Sequence, residues 1–249
     1  SSTDLEVGIR CEVKADIKEP GAITVPARTL GELLRTLEDG RELSFKVGDG
    51  QKIEIRAGRD RCAMIGLPKE DYPVLPEFAQ DKAIAVSSTL LKEMIKKTVF
   101  SVSTDETRYV LNGLNIIIEK GKITIVATDG RRLAFVQRDG VDKKVQANAI
   151  IPTKAMQELQ KLLANDSGAD PIYVGFTENQ VTFRSKTTLI LSRLIEGHFP
   201  NFEQVIPKTH DIQLKFNTKK ILAATQRAAV GTLDKGGSIR YNLSQGKLQ

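Results

Sequence analysis

Tryptophan is absent from this 249-residue chain, and aromatic residues make up only 5% of it. This scarcity argues against a base-stacking platform for single-stranded nucleic acid. Histidine is also rare. His198 and His210 lie near prolines, and neither has a Cys, His or Glu at metal-ligand spacing. Cys11 and Cys62 form no CxxC motif, so we favour two free thiols in a reducing cytoplasm, with a disulfide as the alternative.

The motifs of common active sites are missing as well. There is no GxGxxG, Walker or GxSxG motif, and the carboxylate pairs Glu70-Asp71 and Asp105-Glu106 lie beside turn residues without a second acidic motif. We therefore expect no catalytic residue, no metal and no cofactor. No window approaches the roughly 18 apolar residues of a membrane span, and no signal-peptide pattern opens the chain, so we expect no membrane partner.

Internal repetition is the strongest positive signal in the sequence. The segment around Pro26 matches the segment around Pro152 at an offset of 126, and Thr3-Asp4 matches Thr128-Asp129 at an offset of 125. Within one period, a strand and an amphipathic helix are followed by three strands, and this β-α-β-β-β unit occurs twice. The turns between the strands are predicted at Lys120-Gly121, Asp129-Gly130, Glu178-Asn179 and Lys186-Thr187.

The repeat predicts an α+β protein with three domains, of which the middle one is complete. Residues 81–207 hold both units of the middle domain, residues 1–80 hold the later part of a first domain, and residues 208–249 begin a third. Both ends look interrupted, because the chain opens inside a strand and stops where a returning strand has barely begun. We expect a fragment of a longer protein.

Four predicted helices carry an apolar stripe opposite a basic face. The residues predicted to face inward are Leu30, Leu33, Leu34, Leu37, Leu91, Ile95, Thr98, Val102, Ala155, Met156, Leu159, Leu162, Leu163, Ile221, Leu222 and Thr225. The outward cations are Arg28, Arg35, Lys92, Lys96, Lys97, Lys154, Lys161, Lys219, Lys220 and Arg227. Each basic face alone is explained by solvation, but pseudo-symmetry puts all four on one surface. Together with a net charge of +6, this surface suits a polyanion partner.

The stretch "VATDGRRLAFV", residues 126–136, is a predicted hairpin with two arginines where its second strand begins. Asp-Gly is a common hairpin signal, so one interpretation is that Arg131 and Arg132 simply face solvent. The other interpretation is that they line a binding site.

The motifs "TVPAR" (24–28), "DYPVLPE" (71–77), "RYVLNG" (108–113), "VATDGRRLA" (126–134) and "EGHFPNFEQVIPK" (196–208) resemble the bacterial replicative sliding clamp, the β subunit of DNA polymerase III. The resemblance runs through nearly the whole chain. It implies the DNA-clamp fold, in which two three-domain chains form a homodimeric ring, with antiparallel sheets outside and paired helices around a central hole for duplex DNA. It also implies a bacterial, cytoplasmic and nucleoid-associated processivity factor without sequence preference.

The resemblance assigns residues to two sites. A pocket for a hydrophobic peptide of the replicative polymerase, the clamp loader, and other polymerases or repair proteins is expected at Leu111, Thr128, Gly130, Arg131, Arg132, Leu133, Pro200 and Val205. Residues expected to face DNA are Arg108, Tyr109, Lys92, Lys96 and Lys154. Gln204 departs from the family, many members of which have an arginine there, and this difference affects peptide preference.

Two alternatives from other classes compete with the clamp. The first is a duplex-DNA-binding module that holds DNA by affinity, without encircling it. The second is a protein-interaction scaffold whose helix charges serve solubility alone. A ring that slides on DNA is expected to stay on circular DNA and leave linear DNA, whereas an affinity binder treats both forms alike.

Overall fold

The computed structural model describes residues 1–74, 83–164, 168–232, 238–244 and 246–248. These residues form two compact units, Ser1–Pro200 and Asn201–Gln249. The first unit contains β1 (Ser2–Thr3), β2 (Val7–Cys11), α1 (Ala27–Thr36), β3 (Leu43–Val47), β4 (Lys52–Ala57), β5 (Asp60–Ile65), β6 (Ile84–Ser87), α2 (Ser88–Lys96), β7 (Gly113–Glu119), β8 (Lys122–Thr128), β9 (Leu133–Asp139), β10 (Ala147–Pro152), α3 (Thr153–Ala164), β11 (Pro171–Phe176), β12 (Gln180–Arg184) and β13 (Thr188–Arg193). The second unit contains α4 (Thr218–Val230), β14 (Leu243–Ser244) and β15 (Lys247–Leu248).

The order from β6 to β13 is the predicted β-α-β-β-β unit, twice in succession. The first strands of the two units are exchanged. β6 pairs with β11 of the second unit, and β10 pairs with β7 of the first. The resulting antiparallel sheets run β10-β7-β8-β9 and β1-β2-β13-β12-β11-β6. The α+β class predicted from the repeat is confirmed.

The helices α2 and α3 lie in one core with both sheets. Leu91, Met94 and Ile95 of α2 are fully buried, as are Met156 and Leu159 of α3. Burial of each such side chain contributes about 1.5–3 kcal/mol. The predicted stripes of both helices are confirmed, and Met94 is an additional member that the sequence analysis missed.

Two predicted inward residues are wrong. Leu34 of α1 and Leu222 of α4 are exposed, Leu222 to 54%. In α1, only Leu30 and Leu33 pack on the small core of the sheet β3-β4-β5. Leu34 stays exposed beside them, so the stripe of α1 is only partly used.

The N-terminal strands join the larger sheet. β2 pairs with β13 in the register Ile9↔Ile190, and the Arg193 amide donates to the Glu6 carbonyl at 3.0 Å. Cys11 at the end of β2 is exposed and Cys62 is half-buried, and both are free thiols.

The predicted turns between strands are present with one change. Lys120 and Gly121 have φ angles of 51° and 81° and connect β7 directly to β8. The hairpin between β8 and β9 has four loop residues, 129–132, because Thr128 pairs with Leu133. It is therefore wider than the two-residue Asp-Gly turn that the sequence suggests.

Candidate functional site

The loop between β8 and β9 is held by side chains of its own first residues. The Thr128 hydroxyl donates to the Arg132 carbonyl at 2.7 Å and accepts from the Gly130 amide at 3.0 Å. Asp129 Oδ1 accepts from the amides of Arg131 and Arg132 at 2.9 and 3.0 Å. These bonds fix the backbone of the loop and leave the side chains of both arginines at the surface.

Asp129 is a fixed negative charge in this loop. The backbone amides of Arg131 and Arg132 and the Arg132 guanidinium hold the pKa of its carboxyl group below the ordinary value. Arg132 Nε donates to Oδ2 at 2.9 Å, so the second carboxylate oxygen is used as well. Arg132 also lies 5.9 Å from the centre of the Phe100 ring, a cation–π distance.

Arg108 comes to the same loop from a different part of the chain. Gly130 has a φ of 85°, and a Cβ atom at this position would lie 3.0 Å from Arg108 Nη1. Glycine therefore serves both the left-handed backbone and the close approach of this guanidinium. The predicted DNA-facing residue Arg108 thus lies beside the predicted peptide-pocket hairpin.

The segment that carries Arg108 is tied down at both ends. The Ser103 amide donates to the Leu111 carbonyl at 3.0 Å, and the amide and hydroxyl of Thr153 donate to the Asn112 carbonyl at 3.1 and 2.7 Å. The Asn112 side-chain amide is oriented with its nitrogen toward the carbonyls of Ser103 and Asp105, and it donates a hydrogen bond to each. The first residue of α3 therefore positions the loop that places Arg108.

A cleft of about 290 Å³ opens between this segment and the hairpin. We call it the arginine cleft, and it is lined by Val102, Ser103, Thr104, Asp105, Arg108, Asp129, Arg131 and Arg132. A second, wider groove of about 740 Å³ lies along β9. This β9 groove is lined by Glu93, Lys96, Lys97, Phe100, Leu133, Ala134, Phe135 and Val136. Arg132 touches both, because it lines the first and faces Phe100 in the second.

The apolar members of the predicted pocket differ in what they expose. Leu111 is a core side chain, 6% exposed, whereas Leu133 is half-buried and lines the β9 groove. Pro200 is exposed at the end of the first unit, and Val205 belongs to the second unit, where it is exposed. Within the first unit, Leu133 is therefore the predicted anchor residue with accessible apolar surface next to the arginines.

The predicted DNA-facing lysines do not form one free cationic patch. Lys92 Nζ donates to the carbonyl of Ala164, the last residue of α3, at 3.2 Å. Lys154, at the other end of α3, forms an ion pair with Asp4. Lys96 is exposed in the β9 groove, and within the described ranges it has neither ion pair nor hydrogen bond. Tyr109 is 58% exposed and lies against the loop at Gly197.

The pair Asp4–Lys154 perturbs both groups. The hydrogen bond from Lys154, followed by that from the Val7 amide, lowers the pKa of Asp4 from 3.8 to about 2. The same bond to Asp4 raises the pKa of Lys154. Both groups are therefore charged at neutral pH, and the cation of Lys154 is largely compensated where it stands.

The described residues contain neither a metal-binding cluster nor a membrane-spanning helix. Among them, no three His, Cys, Asp or Glu side chains come together in an arrangement that could hold a metal ion. Within the same ranges, no helix is both long enough and apolar enough to span a bilayer.

The sequence analysis missed several residues that line the cleft and the groove or position their segments. Asp105, Asn112 and Phe100 were not singled out for this site, although "RYVLNG" contains Asn112. The signal for Asp129 was present, since the matching Thr3-Asp4 pair indicated that this turn is repeated. Its role as a double acceptor requires the folded loop.

Comparisons with known proteins agree on one family. The family model "DNA polymerase III beta subunit, N-terminal domain" matches residues 1–76, and that of the central domain matches residues 85–201. The beta sliding clamp of Caulobacter vibrioides is 34% identical over 254 residues, which cover 100% of this chain and 68% of the relative. The beta sliding clamp of Chlamydia muridarum is 30% identical over 249 residues, which cover 100% of this chain and 67% of the relative.

Solved structures give the same result. A sliding clamp, DNA polymerase III subunit beta, from Bartonella birtlesii bound to griselimycin has a TM-score of 0.90 at 33% identity, covering 99% of this chain and 67% of that one. The DNA polymerase III subunit beta of Pseudomonas aeruginosa has a TM-score of 0.85 at 30% identity, with coverages of 99% and 68%. The chain therefore spans about two thirds of the length of these relatives.

Proposed function

Because this chain belongs to the beta sliding clamp family of DNA polymerase III, we propose that the whole protein encircles duplex DNA and tethers the replicative polymerase to it. In this proposal the protein is a processivity factor of DNA replication in the cytoplasm, near the nucleoid, and performs no catalysis itself. The observation that carries the proposal is the conjunction of the repeated β-α-β-β-β fold with the hairpin site at residues 128–133.

The proposal includes three domains and a ring of two chains. The match of the N-terminal model ends at residue 76, and the match of the central model begins at residue 85. This gap supports a first domain over residues 1–80. The match of the central model ends at residue 201, and the first compact unit ends at Pro200, which supports a middle domain over residues 81–207 and a third from residue 208. In this proposal, a clamp loader opens and closes the homodimer.

Contact with DNA in this proposal is electrostatic and weak. Lys92 and Lys154 are already bound by a carbonyl and a carboxylate, so only part of the predicted lining charge is free to meet phosphates. Loose contact of this kind suits a ring that slides, because each phosphate that is tightly bound by a lysine adds to the affinity and slows movement. It argues against a module that depends on affinity alone.

The peptide site of the proposal is the hairpin and its surroundings. Leu133 supplies apolar surface, and the exposed guanidinium of Arg131 can donate hydrogen bonds to the carbonyls of a peptide backbone. Micromolar binding requires about 8 kcal/mol, which two or three buried anchors and a few hydrogen bonds provide. The expected occupants are short hydrophobic segments of the replicative polymerase, the clamp loader, and other polymerases and repair proteins.

The deciding experiment is retention on DNA of two topologies. The whole protein is loaded by its clamp loader onto nicked circular DNA at moderately high salt, and retention is measured before and after the circle is linearised. We expect retention on the circle and loss from the linear form. Equal dissociation from both forms would favour the affinity-based module, and no association with either would favour the protein-interaction scaffold.

A further inference from the structure

The basic faces of α2 and α3 are largely neutralised by the protein itself. Their lysines are Lys92, Lys96, Lys97, Lys154 and Lys161. Lys97 and Lys161 form ion pairs at 2.6 and 2.8 Å with glutamates of their own helices, and Lys92 binds a backbone carbonyl. Lys154 differs from these paired lysines, because its partner Asp4 lies 150 positions earlier in the sequence. A carboxylate from another part of the chain is therefore brought to the first turn of α3.

The turn that carries Asp4 is complete without Lys154. Asp4 Oδ1 accepts hydrogen bonds from the amides of Glu6 and Val7 at 3.1 and 2.9 Å, and the Thr3 hydroxyl donates to the Val7 carbonyl at 3.1 Å. The following strand, β2, is held in the sheet by its pairing with β13. These bonds fix the carboxylate in place and use one of its two oxygens. The second oxygen can therefore hold a cation, and Lys154 binds there.

Lys154 stands in a negative environment. Besides Asp4, the carboxylates of Glu6 and Glu158 are close enough to act on it electrostatically. Of these three carboxylates, Glu158 is also paired with Lys161, so two lysines compensate two of the three negative charges. A DNA phosphate that approaches Lys154 is repelled by the remaining negative charge.

The ion pair Asp4–Lys154 is accessible enough for competition. The side chain of Lys154 is 55% exposed, and that of Asp4 is 42% exposed. An exposed ion pair contributes little to stability, because water solvates both of its charges well. A phosphate can therefore replace Asp4 at the ammonium group without disrupting the fold. Asp4 and a phosphate are thus alternative ligands of the same cation.

We propose that Asp4 is an intramolecular competitor of DNA phosphates. It occupies Lys154 and lowers the affinity of the first turn of α3 for the DNA that passes through the ring, so that the ring slides with less resistance. This inference rests on the proposed function and deepens it, because it makes Lys154 a lining cation whose contact with DNA is held back by a residue of the first domain. A phosphate that takes Lys154 also releases the tie between that domain and α3.

The test measures the DNA affinity of the whole protein as a function of salt. The wild-type protein and Asp4→Asn are titrated with duplex DNA at several salt concentrations. Asparagine keeps a carbonyl for the amides of Glu6 and Val7 but cannot form an ion pair with Lys154. We expect Asp4→Asn to bind DNA roughly three- to eightfold more tightly at about 0.1 M salt, and to steepen the slope of log affinity against log salt by about 0.9, as for one added phosphate contact.

Two further variants locate the effect at the ion pair. In the double variant Asp4→Asn/Lys154→Gln, the gain should disappear, because the freed cation is absent. Glu6→Gln is the matched control, since it removes the same charge from the same turn, and Glu6 acts on Lys154 without a hydrogen bond. We expect Glu6→Gln to raise the affinity by less than about twofold. Cooperative melting of all three variants close to the wild-type temperature shows that they remain folded.

The possible outcomes separate this inference from the proposed function. Unchanged affinity and slope in Asp4→Asn would overturn the inference and leave the ring intact. A gain that persists in the double variant, or an equal gain in Glu6→Gln, would overturn it as well, because the effect would then come from net charge and not from Lys154. If the wild-type protein leaves circular and linear DNA alike, the proposed ring is wrong, and the salt slopes still decide whether Asp4 competes with phosphate.

Discussion

Asp4 and Asp129 occupy equivalent positions in two copies of one turn, but they bind different cations. Each accepts two backbone amides through Oδ1, from Glu6 and Val7 in the first copy and from Arg131 and Arg132 in the second. The other oxygen of Asp4 binds Lys154, whereas that of Asp129 binds Arg132 of its own loop. The repeated turn thus holds the start of α3 in one place and forms the arginine cleft in the other.

Substitutions at the third residue of the two turns should have opposite effects on the stability of the fold. Leu5 has a φ of 76° and is 67% exposed, whereas Gly130 in the same position has a φ of 85°. Leu5→Gly should therefore be neutral or stabilise the fold by up to about 1 kcal/mol, and Gly130→Ala should destabilise it by about 1 kcal/mol or more, because Arg108 must also move. Denaturant unfolding of both variants checks this. A loss of stability in Leu5→Gly would mean that the leucine makes contacts which outweigh its backbone strain.

Acid should remove the contribution of the ion pair Asp4–Lys154 to the stability of the folded protein. The pKa of Asp4 is about 2 in the folded protein against 3.8 ordinarily, so folding favours the ionised form. Its stabilisation is fully present above about pH 5 and disappears as the pH falls toward 2. Asp4→Asn keeps the acceptor for the backbone amides but removes the charge. We expect its melting temperature to lie on the order of 1–2 °C below wild type at pH 7.

That difference should vanish near pH 2, as a series of melting curves would reveal. Glu12→Gln, at an exposed carboxylate just after β2, is a suitable control and should show no such pH-dependent difference. A deficit in Asp4→Asn that is constant from pH 7 to pH 2 would contradict the assigned ion pair.

Leu133→Asp should abolish peptide binding without unfolding the protein. Leu133 is half-buried at the start of β9 and lines the β9 groove, so a carboxylate there disrupts the apolar surface while the core below remains intact. We expect a loss in affinity of at least roughly 30-fold, measured by calorimetry with an anchor peptide. Ile65→Asp, at an exposed apolar residue of β5, is the matched control and should bind normally. Unchanged affinity in Leu133→Asp would place the pocket elsewhere.

Lys96 should matter more for DNA than Lys154 does. Lys96 has no partner in the described ranges, whereas Lys154 must give up Asp4 before it can reach a phosphate. Lys96→Gln should lower the slope of log affinity against log salt by about 0.9 if the lysine meets one phosphate, and Lys154→Gln should change it much less. Titration of the whole protein with duplex DNA at several salt concentrations measures both slopes. Equal effects of the two variants would show that the ion pair with Asp4 opens readily.

The secondary structure was largely readable from the sequence because its signals are local. The apolar spacing of Leu91 and Ile95 predicts the buried face of α2, and Lys120-Gly121 predicts the turn between β7 and β8. The stripes of α1 and α4 misled for a physical reason. Spacing shows that a face is apolar but not whether another element covers it, and Leu222 remains exposed.

The site was less predictable because it depends on contacts between distant parts of the chain. The hairpin arginines were visible in the sequence, but Arg108 joins them only because Thr153 and Asn112 position its loop. Similarly, Lys154 reads as a free outward cation of α3, and its partner Asp4 lies near the other end of the unit. Neither pairing has a signal in the spacing of the sequence.

The exchange of β6 and β10 makes each repeated unit dependent on the other for a complete sheet. One β-α-β-β-β unit on its own has a three-stranded sheet and a leading strand that cannot join it, since that strand pairs with the other unit. A cut in the connection between β9 and β10 would thus yield two fragments that complete each other only by association. A free unit with this topology needs a second copy to pair its leading strand, whereas two units in one chain make the same exchange within a single domain.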